Sequence, residues 1–229
     1  MVNWNKMIDI NEIFSDSDKR LAFWCDSVAD TNDLAIMADD IITQNIHLIS
    51  VPPDAVPLIW PYLEKTNTKI LTRYIFNPSY KSIDDEVYDL VARISAICKQ
   101  GAGGVQIFMK MHDLEQILND IRTVRDDLFF NHDLSVGVDI SDIDILNMDI
   151  FFQKLREVRV DSLVLTLNED TGNRSDFVGR VYALLKHWNI DSELHFILNN
   201  DYDRMDQVIR LTEMEKPELN DKLKFFLNY

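Results

Sequence analysis

Short apolar runs recur along this 229-residue chain about once every thirty residues, the length of one βα unit. No other feature of the sequence restricts its fold as strongly. The runs are Leu21 to Cys25, Ile46 to Val51, Lys69 to Phe76, Val105 to His112, Leu134 to Ile140, Ser162 to Leu167, Glu193 to Leu198 and Lys222 to Leu227. Between them, 31–44, 54–65, 82–99, 114–124, the stretch through Phe151, Phe152 and Leu155, 175–188 and 201–215 carry the helical period. Trp4 to Phe14 adds a short leading helix. Such alternation implies a parallel sheet covered by helices. Eight units favour an α/β fold of the closed (β/α)8 TIM-barrel type, with an extra N-terminal helix and no helix after the last strand. An open doubly wound sheet is the alternative, but the Gly-x-Gly-x-x-Gly loop of its dinucleotide-binding form is absent. No linker rich in Gly, Ser or Pro interrupts the chain, so residues 1–229 read as one domain.

Charge narrows the partners. With 39 acidic against 23 basic residues, the net charge is −16. That field disfavours nucleic acid and anionic membrane as partners. No apolar run approaches the ~18 residues of a membrane span. The first residues carry acids and no apolar core, unlike a signal peptide. Cys25 and Cys98 have no metal-binding spacing and fit a reducing compartment. A cytoplasmic protein is expected, with no cofactor and no metal. A small-molecule substrate and a homo-oligomer are both compatible with the sequence.

In a barrel the chemistry belongs to inward side chains at the C-terminal ends of the strands. Side chains alternate between faces along a strand. Val105, Ile107, Met109 and Met111 form one apolar set, which leaves Gln106, Phe108, Lys110 and His112 inward. The same phasing turns Ser135, Gly137, Asp139 and Ser141 inward on the fifth strand. It turns Ser162, Val164, Thr166 and Asn168 inward on the sixth, and Glu193, His195, Ile197 and Asn199 on the seventh. The first three strands do not separate into an apolar and a polar face. Asp26, Arg73, Tyr74 and Asn77 are their rim candidates.

An inward lysine at a strand end is expensive unless it is paired, solvated or employed. In a partly dry pocket it can lose its proton and attack a carbonyl as an amine. Lys110 is the candidate amine and Asp139, on the adjacent strand, the proton relay. His195, placed across the mouth, and Gln106 would orient substrate, with Thr166, Asn168, Asn199 and Asp26 around them. The alternative is a structural Lys110–Asp139 ion pair that closes the barrel top, with His195 a hydrogen-bonded core residue.

Three stretches carry a family resemblance: Ser50-Val-Pro-Pro-Asp-Ala-Val-Pro-Leu, Thr68-Lys-Ile-Leu-Thr-Arg-Tyr-Ile-Phe-Asn-Pro78 and Gly101-Ala-Gly-Gly-Val-Gln. Together they resemble the second to fourth strands of the deoxyribose-phosphate aldolase family of (β/α)8 barrels. The resemblance implies the barrel fold, while the departures from it contradict the family's activity. It also implies where the family's catalytic residues would fall. The Schiff-base lysine of its strand-six signature falls on Val164, the second lysine, on strand seven, falls on His195, and the strand-four aspartate falls on Gln106. No glycine follows Gly179 to form the family's phosphate cradle. Two functions lead: an aldolase-like lyase acting on a small carbonyl compound through Lys110, or a catalytically inactive barrel serving as a binding or assembly module; metal-assisted chemistry at the acidic rim is a third.

Overall fold

The computed structural model describes residues 13–14, 18–26, 31–76, 83–110, 121–122, 125, 132–167 and 174–229. Most of the leading helix 4–14, most of the helix over 114–124, and Asn77, His112 and Asn168 lie outside these residues.

Eight parallel strands close into a barrel in sequence order. They are β1 (Leu21–Trp24), β2 (Leu48–Val51), β3 (Lys69–Ile75), β4 (Gly104–Phe108), β5 (Asp133–Asp139), β6 (Ser162–Thr166), β7 (Glu193–Ile197) and β8 (Leu223–Asn228). β8 pairs with β1 from Leu21↔Phe225 to Trp24↔Asn228, which closes the ring. The doubly wound alternative is thereby excluded. Closure leaves no unpaired strand edge, so the backbone donors of all eight strands are shared around the ring.

The helices Thr31–Thr43, Val56–Leu63, Ile83–Cys98, Met148–Val158, Arg174–His187 and Tyr202–Glu215 follow their strands as expected. The expected helix over 54–65 is shorter, because Pro53–Ala55 forms a separate 3-10 turn ahead of it. The helix starting at Tyr202 is capped by Asp201, whose side chain accepts from the Arg204 amide at 3.0 Å.

Two apolar clusters divide the interior. The larger lies between strands and helices and takes the outward side chains Phe23, Ile49, Ile70, Ile107, Val136, Leu163, Phe196 and Phe225. Phe152 and Trp188 meet edge to face within it, ring centres 5.3 Å apart. The smaller cluster lies inside the barrel and consists of Ala22, Leu48, Leu71, Val164, Ile197 and Phe226, with Trp24 and Phe108 packed against it. This inner cluster settles the faces of β1, β2, β3 and β8. Tyr74 belongs to the outer cluster and lies beneath the Arg93 guanidinium, so it is not a rim residue.

Candidate functional site

Inward residues of a barrel stack in tiers supplied by alternate strands. The register here groups Ala22, Leu71, Ser135 and His195 in a middle tier. Ser50, Gln106, Val164 and Phe226 lie above them, and Trp24, Arg73, Gly137 and Ile197 form the top. The top is filled. Trp24 sets its edge against Phe108 at 5.7 Å and against Phe226 at 6.1 Å. Phe108 lies over Gly137 so closely that a Cβ there would stand 2.3 Å from its Cδ1.

Arg73 caps this stopper. Its guanidinium lies 4.0 Å from the Trp24 ring centre. It donates to the carbonyls of Ser50, at 3.1 Å, and Cys25. Asp26 stands 3.6 Å from it and accepts the Trp24 indole N–H at 2.5 Å. Burial lowers the pKa of Arg73, and Asp26 opposes that shift. Both terminal nitrogens of Arg73 thus donate to the protein itself.

The expected site residues separate. Gln106 is fully buried, as its inward phase required, and its Oε1 accepts from Ser50 Oγ at 2.6 Å. Its Nε2 has no partner among the described residues. Asp139 is 8% exposed and caps the 3-10 turn Ile140–Asp142 by accepting from the amide and hydroxyl of Ser141. Lys110 lies two residues beyond β4, exposed, and the register continues to set it level with Asp139. Among the described residues no hydrogen bond or ion pair joins the two. Among the described residues, Thr166 Oγ1 reaches only the Val138 carbonyl, at 3.5 Å. Asn199 is exposed, with a left-handed φ of 49° that asparagine tolerates. Asp26 is at the rim, as expected, in the Arg73 cap.

His195 sits lower than expected. It is 2% exposed, paired in register with Lys224 near the start of β8, and its ring meets Phe226 from below the stopper. Its Nε2 and Glu193 Oε2 are 2.9 Å apart. Burial lowers the His195 pKa and outweighs the carboxylate, so the ring is neutral with its proton on Nε2. Nδ1 is then an acceptor, without a partner among the described residues. Partial burial alone would raise Glu193; the hydrogen bond from His195, with Lys224 and Lys69 nearby, lowers it instead. The base also holds Lys69, bound to Asp133 at 2.5 Å.

Sequence reasoning missed Trp24 and Phe226 as mouth residues. The one signal was negative: strands that cannot be phased are apolar on both faces, so their inward sides fill the barrel with hydrocarbon. Among the described residues, no group of three His, Cys, Asp or Glu converges as a metal site. No described helix is long and apolar enough to cross a membrane.

No protein-family model matches the chain, and no curated protein matches it in sequence. Solved structures do match in fold. A deoxyribose phosphate aldolase from Aeropyrum pernix, described as a unique tetramer, superposes with a TM-score of 0.66 at 10% identity, over 92% of this chain and 85% of that one. QR15, an aldolase, gives 0.66 at 10% identity over 93% and 92%. Triosephosphate isomerase from Bartonella henselae gives 0.52 at 9% identity over 91% and 92%. The fold is therefore a divergent TIM barrel of the deoxyribose-phosphate-aldolase-like type. At this identity the likeness concerns architecture alone.

Proposed function

We propose that this divergent aldolase-like barrel is a single-domain, catalytically silent binding or assembly module. The observation that supports it is the stopper of Trp24, Phe108 and Phe226 under Arg73, at the end of the barrel where such folds place their chemistry. The position that the family resemblance assigns to the Schiff-base lysine is Val164, fully buried beneath that stopper. A small carbonyl compound would have to displace three aromatic rings to reach it, and would find no amine there.

A second reading is a lyase with Lys110 as amine and Asp139 as relay, assisted by Gln106, His195, Thr166, Asn168, Asn199 and Asp26. It draws on the exposure of Lys110 level with Asp139. Borohydride trapping separates the two. The protein is incubated with small aldehydes, ketones and sugar phosphates, reduced, digested and mapped by mass. The silent barrel gives no adduct on Lys110 above the background of the other surface lysines. An adduct concentrated on Lys110, lost in Asp139→Asn, overturns it in favour of the lyase.

A further inference from the structure

The base of the barrel, opposite the mouth, opens into a recess of about 680 Å³ lined by Asp18, Lys19, Arg20, Glu213, Asn220, Asp221 and Lys224. Asp18 to Arg20 lead into β1, and Lys224 is the second residue of β8. Asn220 and Asp221 lie in the 3-10 helix Pro217–Lys222, and Glu213 near the end of the helix Tyr202–Glu215.

The walls of the recess differ in sign. The strand wall carries Lys19, Arg20 and Lys224. Its one acid, Asp18, is taken by Arg20, which donates from Nε at 3.0 Å and Nη2 at 2.6 Å. That pairing lowers the Asp18 pKa although burial acts the other way. Lys224 spends one N–H on the Lys19 carbonyl, at 3.0 Å, and keeps two. The helix wall carries Glu213, Asn220 and Asp221. Among the described residues, nothing bonds the ammonium of Lys19 or the carboxylates of Glu213 and Asp221. Among the described residues, Asn220 Oδ1 is shielded from solvent and has no partner.

We propose that this recess is a binding site for a small zwitterion. Its carboxylate is held by Lys19 and Lys224, and its ammonium by Glu213 and Asp221. A ligand of one sign would satisfy one wall and face repulsion from the other. The site lies at the other end of the barrel from the stopper, so it goes beyond the silent-mouth reading and stands whichever way the trapping of Lys110 turns out.

The test uses the full chain at low ionic strength, where open charged sites are least screened. Glycine, β-alanine, γ-aminobutyrate and ε-aminohexanoate are titrated by calorimetry and saturation-transfer NMR, with butyrate and butylamine as single-charge controls. One chain length should bind at least about tenfold tighter than either control. Glu213→Gln with Asp221→Asn, both at exposed positions, should weaken it by about tenfold while the fold stays intact. The proposal is overturned if no amino acid of the series binds, if butyrate or butylamine binds equally well, or if the double variant binds like the parent.

Discussion

Gly137→Ala tests the stopper directly. A Cβ at this position would lie 2.3 Å from Phe108 Cδ1 and 2.5 Å from Cε1. Ordinary carbon contacts lie near ~3.5–4.0 Å, so the ring has to move by more than about 1 Å. Gly137 is not among the residues with positive φ, so alanine meets no backbone strain there. Removing a strand glycine should itself stabilise by roughly 0.5–1 kcal/mol. Overpacking a filled interior costs typically about 1–3 kcal/mol. Phe108 stands at the rim and can swing outward, at the expense of its edge contact with Trp24. The net loss should therefore be about 0.5–2 kcal/mol, or roughly 1–8 °C in Tm for a chain of this size. Urea unfolding should show a lower midpoint with an unchanged slope. The decisive arm is the same substitution in a Phe108→Ala background. There the new methyl has room, and Gly137→Ala should be neutral or stabilising. Equal destabilisation in both backgrounds would refute the packing of Phe108 over Gly137, and with it the filled mouth.

The pair of buried His195 and half-exposed Glu193 at the base makes stability depend on pH. His195 has its pKa lowered from 6.5 and Glu193 from 4.5, so in each case the unfolded chain binds protons that the folded one resists. Both contributions are fully present above the unfolded values and are lost on acidification. The urea midpoint should fall between pH 7 and pH 5 by more in the parent than in His195→Phe, and parallel pH profiles would contradict the neutral-ring assignment. Arg73→Lys keeps the charge but loses the planar fork over Trp24 and the bonds to the Ser50 and Cys25 carbonyls. It should cost about 1–3 kcal/mol in unfolding and redden the tryptophan emission, whereas an unchanged midpoint would show that Arg73 does not hold the rim together.

The barrel was legible because its strands are covered on the outside along their whole length. Leu134, Val136 and Val138 on β5, and Leu163 and Leu165 on β6, all face helices, and smaller or polar residues alternate with them. That period identified Gln106, Ser135 and His195 as inward, and all three are buried inside. On β1, β2, β3 and β8 the inward Ala22, Leu48, Leu71 and Phe226 are as apolar as the outward Phe23, Ile49, Ile70 and Phe225. Period two then carries no contrast, and the stopper was hidden in it. The same period set Lys110 inward as the candidate amine, yet its strand ends at Phe108 and leaves it exposed.

The sequence by itself determined the succession of strands and helices, the closed architecture they favour, and the face of each clearly alternating strand. These depend on neighbours two to four positions apart. Height along the barrel axis does not, because it follows from the stagger of all eight strands against one another. Only the tertiary structure therefore put His195 below the mouth, and only it brought Trp24, Phe108 and Phe226 together from three strands. It alone carried Lys224 back to the Lys19 carbonyl across 205 residues of chain, which made the recess at the base.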